Sequence, residues 1–222
     1  MSKTIHPKVE PVLHSLRCYA KVWPEGLIPY SGFDKDWELT TQERLVTFLK
    51  DHTDALERTC VPGHITGSAL VVNPNFDRVL LTLHAKLGKW LQLGGHADGD
   101  SDVAAAALRE AREESGRSEV EFLPWEQGGT WGITSPTAFD CDIHQIPARG
   151  DQPSHLHYDI RYLCVLDDAL PLRITHESKD LRWVKLEDAF TLTQEASMIR
   201  QFEKFVALRQ QLTASQLDAK KF

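Results

Sequence analysis

The stretch GGHADGDSDVAAAALREAREESG, Gly94 to Gly116, constrains the fold of this chain more than any other. The strand-like run KWLQL (89–93) leads into two adjacent glycines, and a helix must begin within a few residues of them. Ser101 or Asp102 supplies the side-chain oxygen that caps the first free N–H groups of a helix. Gly116 stands where a left-handed residue ends one. Between these limits Ala104, Ala107, Leu108, Ala111 and Ser115 recur at helical spacing, a small and mostly apolar face suited to lying close on a sheet.

That helix also carries Glu110, Glu113 and Glu114, at i, i+3 and i+4, which are expected to project together from the face opposite the packed one. Like charges at this spacing repel by roughly 0.2–0.5 kcal/mol per pair, and a helix C-terminus disfavours anions. A bound dication offsets the repulsion, because hard ions such as Mg²⁺ and Mn²⁺ take oxygen ligands and share them between carboxylates, water and phosphate. Helix spacing alone favours a plainer use, a solvated face laced with pairs such as Arg109 and Glu113.

The wider spacing shifts that balance. Five residues separate Gly95 from Ser101, seven more precede Arg109-Glu110, and Ala111, Arg112, Glu113-Glu114, Ser115 and Gly116 follow in register. This pattern resembles the Nudix box, with two departures: Ser101 stands where the box has a glutamate, and Arg117 where it has an aliphatic residue. The resemblance runs over roughly residues 60–190 and includes ESKDLRWVKLEDA (177–189) as the late strand and turn.

It implies a divalent-metal-dependent hydrolase that cleaves a diphosphate linkage in a nucleoside diphosphate derivative or related small molecule. It implies Glu113 and Glu114 as metal ligands and Glu110 as a ligand or the base that activates water. The Gly95 carbonyl is implied as a further ligand, Arg109 as the residue that orients Glu110, and Mg²⁺ or Mn²⁺ as the cofactor. An isoprenoid-diphosphate-type isomerase shares the fold and uses a cysteine, for which Cys60 stands nearby in a sequence unlike that motif. A non-catalytic nucleotide or sugar-phosphate sensing module is the other alternative, and three intact glutamates speak against it.

Along the rest of the chain, HITGSALVV (64–72) and RVLLTLH (78–84) flank the turn-prone NPNFD and read as a hairpin. VEFLPW and GGTWGIT look like strand material, as do FDCDIHQIP (139–147), HLHYDIRYLCVL (155–166) and DLRWVKL (180–186). TTQERLVTFLKDH reads as a helix opened by a capping box of Thr40 and Glu43, with Leu45, Phe48, Leu49 and Leu56 on one face. Gln194 to Leu212 reads as an amphipathic helix carrying Ile199, Phe202 and Val206. Before residue 38, Pro7, Pro11, Pro24 and Pro29 are expected to interrupt any long helix, with Trp23, Tyr30 and Trp37 docking on a neighbouring surface.

The expected class is thus α/β in an α+β layered form, a Nudix-like mixed β-sheet between helices with extra N- and C-terminal helical segments. The expected division is an extension at 1–59, a catalytic domain at 60–190, and a C-terminal helix at 191–222. The terminal segments shape either the pocket or a homodimer interface.

Alternate positions place His155, His157, Asp159 and Arg161 on one strand face, with His144 and Asp142 of the preceding strand within reach if the register permits. His155, His157 and Asp159 are candidates for contacting substrate, supplying a base or holding an extra metal; the plainer use is the wet side of an antiparallel strand. His96, directly after the glycines, is a further substrate candidate by position. Glu177, Lys86, Lys89, Trp125 and Trp131 are weaker candidates, since exposed lysines and buried tryptophans are common.

The net charge of −7 over 222 residues argues against a general grip on nucleic acid or anionic membrane, which needs a basic face. It leaves room for a small phosphorylated substrate held through a cation. Four dispersed cysteines, the lack of a signal-like apolar run and the lack of a membrane span fit a cytoplasmic protein with reduced thiols.

Overall fold

In the computed structural model, which describes residues 6–23, 28, 30–123, 136–175 and 178–219, the hairpin read from residues 64–84 is present. β1 (Gly63–Val72) and β2 (Arg78–His84) run antiparallel, with Val71 opposite Leu80 and Val72 opposite Val79. Asn73 closes the turn, its side-chain oxygen accepting from the N–H groups of Asp77 and Arg78 at 3.0 and 2.9 Å. β3 (Trp90–Leu91) pairs with β2, and β4 (Leu93–His96) moves to β1, bringing Gly95 opposite Gly67 and His96 opposite Thr66.

β5 (Glu121–Phe122), β6 (Asp140–Ile146) and β7 (His155–Val165) extend the sheet on the other side of β1, and β8 (Ser178–Lys185) pairs with β2. β7 lies antiparallel to β5 and β6 but parallel to β1, from Gly63 opposite Leu156 to Val72 opposite Val165. The eight-stranded sheet is therefore mixed. The helices are α1 (Glu10–Val22), α2 (Lys35–Asp51), α3 (Val103–Ser115), α4 (Leu186–Leu192) and α5 (Ala196–Ala219). The layered α+β class and its helical extensions are as expected.

One apolar core joins both ends of the chain to the sheet. Leu16 and Tyr19 of α1, Leu45, Phe48 and Leu49 of α2, and Phe202 and Phe205 of α5 cluster with Ile65, Val79 and Ile160. Ala111 of α3 belongs to a second cluster with Ala69, Val71, Leu80 and Leu93. α3 can lie close because Gly67 offers no side chain beneath it: a Cβ there would stand 2.7 Å from the Val103 carbonyl oxygen.

Three sequence readings are corrected. Pro7 and Pro11 open helical turns instead of interrupting them: Pro7 begins a short 3-10 turn and Pro11 occupies the first turn of α1, where its missing N–H costs nothing, while Pro24 and Pro29 lie outside the described residues. α2 starts before Thr40, because Asp34 already caps it by accepting from the Trp37 N–H at 3.0 Å; Leu56 lies beyond its end, buried in the following turn. The VEFLPW strand shortens to β5. Trp23 is fully buried, edge-on to Tyr30 and Phe139, and Trp37 carries the Arg200 guanidinium 3.9 Å above its ring. GGTWGIT, Trp125, Trp131 and Glu177 lie outside the described residues. Among the described residues, no helix is long and apolar enough to cross a membrane.

Candidate active site

α3 forms as its sequence indicates. Asp102 accepts from the Ala105 N–H at 2.9 Å, and Gly116 ends the helix at φ +63°. The Arg117 N–H then reaches back to the Arg112 carbonyl at 3.0 Å, satisfying an otherwise open acceptor. At the position where the box has an aliphatic residue, the Arg117 guanidinium donates to the Pro171 carbonyl oxygen.

The carboxylates meet the glycines of β4. Glu114 is buried and accepts from the Gly94 N–H at 3.1 Å through Oε2. Glu110 is half-buried against the Cα of Gly95, where a Cβ would lie 2.4 Å from its Cδ. Arg109 donates to Glu110 at 2.9 Å and to the His96 carbonyl at 3.2 Å, so it clamps the carboxylate to the strand. Glu113 is 62% exposed, with its nearer oxygen 3.9 Å from Arg109.

The three glutamates therefore do not share the face opposite the packed one. Close approach of α3 to glycines turns Glu110 and Glu114 onto β4 and leaves Glu113 outside. Among the described residues, two trios of potential ligand atoms lie within 4.8 Å of one another, and the glutamates are not one of them.

Gly95 gives a direct test of this seat. Its φ is ordinary, and the group in the way of a Cβ is the movable end of Glu110. Gly95→Ala is expected to fold while displacing that carboxylate. A misplacement of about 1 Å at reacting groups costs on the order of 100-fold, so kcat/KM should fall by about that factor with little change in melting temperature. Wild-type kinetics in this variant would place Glu110 outside the chemistry.

In the polar row of β7, Asp159 and Arg161 are buried and His155 and His157 are half-buried, contrary to its reading as a wet strand face. The register does bring Asp142 opposite Asp159 and His144 opposite His157. Arg161 bonds Asp159 at 2.7 Å, Asp140 at 3.0 Å and Asp142 at 3.3 Å. Arg200 of α5 adds bonds to Asp140 and Asp142, and Lys204 joins Asp140 to Glu38 of α2. Asp159 also accepts from the Thr66 and Ser68 hydroxyls, both at 2.8 Å. Both of its oxygens accept hydrogen bonds from within the protein.

His155, His157 and His96 do converge, and they gather around a residue the sequence reading passed over. The His64 ring lies 5.0, 4.8 and 4.9 Å from theirs. Burial, reinforced by His96 and His155, holds the His64 pKa down to about 4. Burial and the surrounding histidines, His144 first, hold His157 down to about 2. Both rings are neutral at pH 7. A signal for His64 was present: polar His64, Thr66 and Ser68 alternate along β1 as His157, Asp159 and Arg161 do along β7, and parallel pairing sets them side by side. Lys89 bonds Glu195 at 2.7 Å.

The family model of the NUDIX domain matches residues 63–205, and the chain belongs to the Nudix family of pyrophosphohydrolases. It is 26% identical over 121 residues to the asymmetrical bis(5'-nucleosyl)-tetraphosphatase of Caenorhabditis elegans, covering 53% of this chain and 76% of that protein. A solved binary complex of the C. elegans Ap4A hydrolase matches 64% of this chain and 95% of its own, at 19% identity and a TM-score of 0.48. A NUDIX family hydrolase from Clostridium perfringens matches 65% of this chain and 97% of its own, at 28% identity and a TM-score of 0.45.

Proposed function

We propose that the protein uses Mg²⁺ or Mn²⁺ to hydrolyse the phosphoanhydride of a small nucleoside diphosphate derivative. The observation that carries this reading is the seating of Glu110 and Glu114 on Gly94 and Gly95 of β4. Glu110, Glu113, Glu114 and the Gly95 carbonyl offer only oxygen donors, which suits a hard dication. Such an ion, when bound, supplies charge for the phosphoryl oxygens and acidifies water.

The chain's own residues then have distinct tasks. Arg109 holds the Glu110 carboxylate in place through a charge-assisted bond. Glu110 either completes the donor set or takes the proton of the attacking water, and both tasks need that orientation. In this reading residues 60–190 hold the chemistry and the segments 1–59 and 191–222 brace it, α5 through Arg200 and Lys204 on Asp140.

The tetraphosphatase relative supports placing bis(5'-nucleosyl) polyphosphates first in a substrate panel, ahead of nucleotide sugars and ADP-ribose. Products that form with Mg²⁺ and not with chelator are the expected result. Nucleotide binding without turnover of any compound would overturn the proposal in favour of a sensing module.

Cys60 separates hydrolysis from isomerisation. Burial, with Asp54 beside it, pushes its thiol up to about 12, and a protonated thiol is a poor nucleophile. Cys60→Ala is expected to leave kcat/KM unchanged, whereas loss of turnover would point to the isomerase chemistry.

A further inference from the structure

We infer that His64, His155 and His157 form a second metal site, selective for a borderline transition ion such as Zn²⁺ or Co²⁺, with a fourth position open. One ring nitrogen from each lies within 4.8 Å of the others. The ring centroids are 4.8, 5.0 and 5.3 Å apart, so a small inward shift brings the three nitrogens around an ion with bonds of about 2.0–2.1 Å.

The second observation is the state of His64. Its ring is 1% exposed, and neither Nδ1 nor Nε2 has a hydrogen-bond partner. Buried polar atoms ordinarily find one, so an orphaned imidazole facing two others needs a reason. A ligand-bearing ion supplies it. The geometry around the trio fits the same use. His155 Nδ1 stands 2.9 Å from the Pro153 carbonyl, which places the proton on Nδ1 and frees Nε2, the arrangement by which outer groups orient metal-binding histidines. His144, on the flank of His157, is held by Asp142 at 3.0 Å, and His96 packs 5.1 Å from His157.

The donor set decides the metal class. Three neutral imidazoles suit Zn²⁺, Co²⁺, Ni²⁺ or Cu²⁺, whereas Mg²⁺ prefers oxygen. Three protein ligands leave a position for water or an anionic oxygen, as in open zinc sites. The glutamates of α3 are not part of this trio, so the two sites bind different ions.

The test is calorimetric titration of the full chain, stripped with chelator and held in excess Mg²⁺, with Zn²⁺. One saturable Zn²⁺ per chain is expected. Outer-group losses weaken metal sites by about 10–100-fold, so removing a ligand in His155→Ala or His157→Gln should cost more than about 100-fold. The two histidines stand at different positions of β7, so His155→Ala keeps the test valid if His157→Gln fails to fold. Co²⁺ should give the strong visible absorption of a four-coordinate ion without thiolate charge transfer. His52→Ala and Cys60→Ala, in the neighbouring His52, Asp54 and Cys60 trio, should retain Zn²⁺. Absence of Zn²⁺ uptake, unchanged affinity in both histidine variants, or loss of binding in Cys60→Ala would each overturn the inference. Mg²⁺-dependent hydrolysis that persists in such a case would leave the proposed function standing.

Discussion

Glu113→Gln is expected to fold as the wild type does and to lose about 100-fold or more in metal-dependent hydrolysis, since losing even an outer group of a metal site costs about 10–100-fold. The stability half of this expectation follows from exposure. Glu113 is 62% exposed and its contact to Arg109 is 3.9 Å long, and exposed pairs contribute at most about 1 kcal/mol. The amide has the same shape and the same helix preference, so the melting temperature should hold. The activity half follows from charge, because the substitution takes one negative charge from an all-oxygen donor set. The loss should be largest at subsaturating Mg²⁺. Near wild-type turnover there would remove Glu113 from the site.

Glu114→Gln makes a useful contrast. Its Oε2 accepts from the Gly94 N–H in a buried position, so that variant should lose stability as well as rate. Comparing the two separates a carboxylate held by the strand from one standing clear of it.

Arg161→Met should give the largest stability effect among the changes considered. Its guanidinium is essentially inaccessible and bonds Asp140, Asp142 and Asp159. Removing one partner of a buried ion pair leaves uncompensated charge and costs about 3–5 kcal/mol. For a chain of this size each kcal/mol moves Tm by about 2–4 °C, so a drop of roughly 6–20 °C is expected by thermal denaturation. Arg17→Ala, which breaks an exposed pair with Glu10, should shift Tm by only a degree or two, since such pairs contribute about 0–1 kcal/mol. Equal shifts in the two variants would mean that the network adds nothing by being buried.

The same network sets an acid limit on stability. Burial pushes the Asp140 carboxyl up, but Arg200, Lys204 and Arg161 outweigh it and hold it well below 3.8, its ordinary value. Asp142 is likewise lowered by Arg161, His144 and Arg200 against its burial. A carboxylate whose pKa is depressed by folding contributes stability that is complete above its unfolded value and fades as pH falls below it. Denaturation midpoints should thus decline below about pH 4, and less steeply in Arg161→Met.

The parts legible in the sequence are those governed by neighbours along the chain. α3 was readable at both ends because its N-cap and its left-handed C-cap are set by residues within a few positions. The β1–β2 hairpin was readable for the same reason, through Asn73 and its turn. α1 was not, because prolines read as breakers when one of them was a first-turn residue. The alternation along β7 identified which residues share a face but not what covers that face.

The sequence by itself determined the acidic helix, its glycine partners and the family they define, since these rest on local geometry and fixed spacing. Only the tertiary structure decided where the carboxylates point, because the approach of α3 to Gly67 and Gly95 depends on the pairing of β4 with β1, a strand more than 20 residues earlier in the chain. It also decided that Asp159 is bonded to Thr66, Ser68 and Arg161 and that His64 meets His155 and His157. A period of two fixes the side of a strand, whereas the parallel pairing of β1 with β7 fixes the neighbour, and that pairing joins segments more than 80 residues apart.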